Sequence, residues 1–266
     1  MLSNIHTHST FTDGKSTPEE IVISAIKKGF ISIGFSEHSY GPHCTYGIKD
    51  TEAYIAEIKR LKEKYKNEIE VYLGLEEDMF YFCDRSKFEY IIGSCHYFRK
   101  DNAYFPIDSS LETMEKVLND LYNFDVITLA NDYYSTFCDY ILKRKPDVIG
   151  HFDLITKFDE NDSPLFFNNE EYLKLSEKYL LEALKADCIF EVNTGAISRG
   201  YRTTPYPYEN LLYLLKKEGG KITLTSDSHH HDTLDCNFKE SSKMLKDIGF
   251  THTYVLHNNE FIKAQI

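Results

Sequence analysis

Two short segments carry donor side chains in pairs. "IHTHST" spaces His6 and His8 two apart, and "TSDSHH" does the same with Asp227 and His229 near the other end of the chain. Residues i and i+2 of an extended strand project to one side, about 6–7 Å apart, so each pair can serve one ligand. Single donors recur in similar company: His38 in "FSEHS", Glu76 in "LGLEED", His96 in "IIGSCH" and His151 in "VIGHFD". Asp13 in "FTDGKS" is a further candidate, although Asp-Gly is also a common turn. Six neutral imidazoles and three carboxylates suit divalent zinc, iron or manganese. A catalytic zinc takes about three protein ligands and keeps a place for water, so this set divides among two or three ions. A carboxylate can bridge two of them, and a two-metal site activates water and stabilises both oxygens of an in-line displacement.

A lone histidine after a strand is usually an ordinary hydrogen-bonded residue. Here six of 11 histidines follow strand-like runs, which favours a shared site. His43, His252 and His257 keep the ordinary reading. So do His230 and His231, because strand alternation turns His230 away from His229.

The elements that must position these donors alternate. Short apolar runs at 2–6, 31–36, 69–75, 90–95, 147–150, 188–193, 221–226 and 251–256 suit strands buried on both faces of a parallel sheet. Helical patterns fill the gaps. In "STPEEIVISAIKKG", Thr17, Pro18 and Glu20 form a capping box with proline at the first helical position, and Gly29 marks the stop. "TEAYIAEIKRLKEKYK" sets Tyr54, Ile58, Leu61 and Tyr65 on one face. Further helices are predicted over 111–144, 169–186, 208–218 and 238–248. Seven or eight strands alternating with helices over 266 residues predict an α/β chain of closed or nearly closed (β/α) barrel type, a single domain over 1–266. An open doubly wound sheet competes, but no GxGxxG loop follows the first strand. In a barrel the strand C-termini converge on one face, and that is where all the paired and single donors fall. The connection 97–146 between strands 4 and 5 is unusually long and reads as a mainly helical insertion, a substrate wall or packing on the flank.

Composition narrows the partners. Lys and Arg are outnumbered 30 to 42 by Asp and Glu, and the net charge of −12 argues against a nucleic-acid partner. No apolar run approaches the roughly 18 residues of a membrane span, and the N-terminus lacks the pattern of a secretory signal. A cytoplasmic enzyme acting on a small molecule is the expectation. The six cysteines show no CxxC spacing and read as free thiols.

In order along the chain, "HTHS…D", "SEH", "GLE", "GSCH", "GHFD" and "SDSH" resemble the motif set of the polymerase-and-histidinol-phosphatase (PHP) superfamily. The resemblance spans residues 6 to 229 and fills all nine ligand positions, Asp13 included. It implies a distorted, TIM-like (β/α)7 barrel, which leaves the eighth run outside the ring. It also implies a ligand partition. His6, His8, Glu76 and Asp227 would hold one ion, Glu76, His96 and His151 a second, and Asp13, His38 and His229 a third. Glu76, Asp227 and His229 are the positions implied to bear on the reaction itself. Within the superfamily, "GSCHYF…FPID", "GHFDLITKF" and "FEVNTGAISRG" are most similar to the histidinol-phosphate phosphatases of histidine biosynthesis. For that group the implied chemistry is phosphomonoester hydrolysis by a hydroxide bridging the ions. Arg199 and Lys157 stand where its members place cations for the substrate phosphate. Asp108 or Tyr104 could meet the imidazole or amine, and either water on a third ion or His43 could protonate the leaving alcohol. Two other readings stay open: a PHP-type phosphodiesterase or exonuclease, and a metal-binding module without catalysis.

Overall fold

The computed structural model describes residues 1–160 and 164–266. Seven strands form one parallel sheet, in the spatial order β1 (Ser3–Asn4), β2 (Ser32–Phe35), β3 (Glu70–Asp78), β4 (Tyr90–Ser94), β7 (Val148–Ile149), β8 (Ile189–Asn193) and β9 (Lys221–Thr225). The ring nearly closes. Its seam is an isolated parallel bridge between Thr7 and Ser228, where His8 N–H donates to Ser228 O (2.8 Å) and Ser228 N–H donates to His6 O (3.2 Å). Closure therefore occurs at the donor-bearing residues themselves. The first seven strand-like runs of the sequence build this distorted (β/α)7 barrel.

The eighth run becomes β10 (His252–His257), paired antiparallel with β11 (Glu260–Gln265) outside the ring. This hairpin is pinned to the N-terminal ends of the barrel strands. Ser32 Oγ donates to Leu256 O (2.7 Å), and Asn258 N–H donates to Glu70 Oε2 (3.0 Å).

Helix α1 (Pro18–Lys27) starts as its sequence dictates: Thr17 and Glu20 make the reciprocal capping box, with Pro18 in the first turn. In α2 (Thr51–Lys64), Tyr54, Ile58 and Leu61 are buried against β2 and β3, while Lys59 and Glu63 are exposed. On the other flank lie α5 (Glu170–Leu184), α7 (Glu209–Lys217) and α8 (Phe238–Ile248), with the single turn α6 (Gly195–Ser198) after β8.

The connection 97–146 holds more than helices. It opens with a hairpin, β5 (Tyr97–Lys100) and β6 (Ala103–Pro106), and continues as α3 (Leu111–Tyr122) and α4 (Val126–Arg144). The two helices pack Val117, Tyr133 and Phe137 into a core shared with Phe152 and Phe190. Strand alternation in β3 makes the tie that holds them. Glu76 points into the ring, and its neighbour Glu77 points out to α4. There Arg144 donates to both Glu77 oxygens (2.8 and 2.7 Å), and Tyr140 Oη donates to Oε1 (2.8 Å).

Inside the barrel, Tyr90 lies across the strands with its Oη 2.6 Å from Ile5 O and 3.0 Å from Phe35 O. Only glycine at 74 leaves room for it, since a Cβ there would sit 2.2 Å from the ring. Gly74→Ala is therefore expected to cost about 1–3 kcal/mol by overpacking. A urea midpoint equal to that of the parent would contradict this.

Candidate metal centre

Nine donors from the ends of the strands meet at the C-terminal mouth. Glu76 is at their centre, almost fully buried (1% exposed). Its Oε1 lies 3.4 Å from His6 Nε2, 3.3 Å from His96 Nε2 and 3.0 Å from His151 Nε2. Its Oε2 lies 2.6 Å from His38 Nδ1 and 3.7 Å from His8 Nε2. Asp227 Oδ1 is 3.2 Å from His8 Nε2 and 3.7 Å from His6 Nε2. Asp13 Oδ1 is 3.5 Å from His38 Nε2 and 3.3 Å from His229 Nε2.

Local backbone explains these positions. His38 is carried by an extension of β2 that bridges to Glu76. The Asp-Gly pair after β1 is both a turn and the device that brings Asp13 back to the rim. Gly14 passes so close to the backbone of His8 that a Cβ would lie 2.3 Å from its oxygen, and Lys15 N–H then donates to His229 O (2.8 Å). Buried Glu37 holds this loop by accepting from Ser9 N–H (2.8 Å) and from the hydroxyls of Ser9 and Thr12. Asp227 sits in the left-handed region at φ 44°, where aspartate is tolerated better than most residues. Backbone strain of this kind gathers at functional sites.

The donor set fits divalent ions. His6 Nε2 and both ring nitrogens of His8 are buried without a hydrogen-bond partner, an arrangement that native interiors avoid unless something else satisfies them. Sets of donors converge: one atom each from His8, Asp13, His38 and His229 lie within 4.8 Å of one another, as do those of His6, His8 and Asp227 and those of His38, Glu76 and His96. Burial, helped by neighbouring His38 and His229, pushes the His8 imidazole down to about 3 and keeps it neutral, as a ligand must be. Burial alone would raise the Glu76 carboxyl, but His96, His6 and His38 hold it well below its ordinary value. Burial would likewise depress His6, and Glu191, Glu76 and Asp227 more than reverse that.

A model of the PHP domain family matches residues 4–195, the stretch that carries seven of the nine donors. The chain belongs to the PHP domain family. The "Probable histidinol-phosphatase" of Schizosaccharomyces pombe is 30% identical over 257 residues, covering 88% of this PHP chain and 81% of that protein. The "Histidinol-phosphatase" of Lactococcus lactis is 28% identical over 262 residues, covering 92% and 90%. The fold is also that of the Lactococcus lactis histidinol phosphate phosphatase crystallised with zinc, L-histidinol and phosphate. The TM-score is 0.73 at 21% identity, covering 98% of this chain and 99% of that one.

In this PHP domain a cavity of about 280 Å³ opens over the donors, walled by Tyr46, Tyr97, Asp108, Lys157, Arg199 and Tyr201 among others. A larger cleft of about 430 Å³ lies at the opposite end of the barrel, beside Met1 and Ile266, away from the donors. Arg199 reaches the donors directly. Its Nη2 donates to Asp227 Oδ2 (2.9 Å), and its Nη1 donates to Asp227 O (2.9 Å) and lies 3.2 Å from His229 Nδ1. Lys157 lines the same cavity but is already engaged: Nζ donates to Asp108 O (2.6 Å) and lies 3.3 Å from Asp108 Oδ2.

Two positional expectations fail. The His43 ring stacks on Tyr104 at 4.1 Å and lies near Asp78, and neither His43 nor Tyr104 lines the cavity. Tyr97 and Pro106 of the hairpin β5–β6 form the wall, and Tyr104, two residues nearer the turn on the same face, packs on His43 instead. His43 is thus not placed to protonate a leaving group. His230 and His231 stay off the cavity as expected, with His231 Nδ1 2.8 Å from Ser16 Oγ. Glu191 escaped the sequence reading, although a glutamate inside the apolar strand run "CIFEVN" was a signal, because a buried charge must be paired.

Proposed function

We propose that the chain is a metal-dependent phosphomonoester hydrolase whose substrate is L-histidinol phosphate. The observation that carries this reading is the gathering of nine donors, with buried Glu76 touching five of the others, at the floor of a cavity sized for a small molecule. Near full-length similarity to relatives named histidinol-phosphatase supports the choice of substrate. No helix among the described residues is long and apolar enough to cross a membrane.

His6, His8, Glu76 and Asp227 would hold one ion, Glu76, His96 and His151 a second, and Asp13, His38 and His229 a third. Zinc, iron and manganese all match these donors. Divalent ions bound there supply an activated water and neutralise charge on the phosphoryl oxygens. Arg199, anchored by Asp227, offers its remaining N–H groups to a phosphoryl oxygen at the rim. Lys157 adds a positive charge farther out, steadied by Asp108 and by the ring of Tyr201, 4.8 Å from Nζ. Tyr46, Tyr97 and Tyr201 give flat apolar walls for an imidazole, and Asp108 gives a carboxylate for a cationic amine.

The test is a substrate panel with metal-replete protein. L-Histidinol phosphate is expected to exceed p-nitrophenyl phosphate by about 10²-fold or more in kcat/KM, because contacts to its amine and imidazole are realised only with that substrate. Faster turnover of bis-p-nitrophenyl phosphate or single-stranded DNA would replace this reading with a diesterase. Hydrolysis of no phosphoester by fully loaded protein would leave a binding module.

A further inference from the structure

We propose that Glu191 is a positioning residue for the metal centre, fixing the tautomer of His6 and the backbone at His151 together. This rests on the reading of His6 and His151 as ligands. Glu191 stands on β8, buried at 1% exposure, pointing into the barrel beneath the donors, and it is not itself grouped with them. Each of its oxygens accepts from two donors. Oε1 takes His6 Nδ1–H (2.5 Å) and the Thr225 hydroxyl (2.6 Å). Oε2 takes His151 N–H (2.7 Å) and Asn193 Nδ2–H (3.0 Å).

The first contact determines what His6 can do. With its proton held on Nδ1 by a carboxylate, the ring presents a bare Nε2 lone pair toward Glu76 and Asp227, as a metal ligand must. The second contact ties the strand end that carries His151 to the same carboxylate. One side chain thus sets ligands that belong to two different ions.

A glutamine of the same shape cannot reproduce this. If its NH₂ replaces Oε2, it meets the His151 N–H head-on. Asn193 cannot turn its amide to relieve the clash, because its Oδ1 already accepts from Gly195 N–H (2.7 Å). If the NH₂ replaces Oε1, Nδ1 of His6 must become an acceptor. The His6 proton then moves to Nε2 and points at the ion. Either orientation damages one ligand set.

The experiment measures zinc affinity of apoprotein by competition with a chelator, for the parent, Glu191→Gln, Glu191→Asp and His6→Ala, with circular dichroism for folding. Glu191→Gln is expected to bind zinc about 10–100-fold more weakly. At saturating zinc its KM for the phosphomonoester should match the parent's, which a general loosening of the barrel would not allow. Should Glu191→Gln fail to fold, Glu191→Asp, which keeps the charge but withdraws it by a methylene, is expected to show the same weakening. Parent-like affinity in the folded variants, with zinc binding lost in His6→Ala, overturns the proposal alone. Parent-like affinity in His6→Ala overturns the ligand reading beneath it.

Discussion

Glu76→Gln is expected to lose about 10³-fold or more in kcat/KM and to emerge from purification with less bound metal than the parent. The substitution barely changes size. It removes the one charge that faces His6, His8, His38, His96 and His151 together, at distances from 2.6 to 3.7 Å. It also turns one acceptor oxygen into a donor, facing histidines that under the proposed ligand scheme would each give a lone pair to a cation. Loss of several kcal/mol of charge stabilisation in the transition state, at about 1.36 kcal/mol per decade, sets the scale. Elemental analysis and steady-state kinetics on one preparation decide the matter. A variant with parental metal content and parental turnover would mean that Glu76 does not join two ions.

Arg144→Ala should cost about 3–5 kcal/mol of stability while leaving chemistry at 25 °C intact, because it leaves an uncompensated buried charge. Glu77 is fully buried, and Arg144 covers both of its oxygens. Tyr140 Oη and Cys83 N–H would remain on the carboxylate, but neither carries a positive charge. The pair lies on the outer side of β3, opposite in parity to Glu76, so kcat/KM should stay near that of the parent. Urea unfolding and assays at 25 °C separate the two effects. An unchanged midpoint would show that α4 is held by its apolar face alone.

The ring was legible in the sequence because buried parallel strands read as short apolar runs, six of the seven ending in or followed by a donor. Period two then told which neighbours share a face: His6 with His8, and Asp227 with His229 rather than His230. Both hairpins were less visible, and for one reason. Their turns are Asp101-Asn102 and Asn258-Asn259, each pair with positive φ at both residues. That is the type I′ geometry usually signalled by Asn-Gly or Asp-Gly; without glycine, neither "RKDNAY" nor "LHNNEF" stood out as a hairpin turn. What hid His43 and Tyr104 from correct placement was the first of these hairpins: Tyr104 shares a face with Tyr97 and Pro106 but lies two residues nearer the turn, where it packs on His43. Glu191 could have been singled out as a charge within an apolar run, but its four partners lie on the segment after β1, on β8, on β9 and on the turn after β7, and no local pattern names them.

The seam between Thr7 and Ser228 also bears on how the molecule comes into being. A chain leaving the ribosome at about 5–20 residues per second can pair its first strand with β2 early, but holds it for on the order of ten seconds or more before its second partner, across the seam, exists. During that interval the nascent polypeptide has an unpaired strand edge and an unfinished cation pocket, and an open edge of that kind is a template for pairing with another chain.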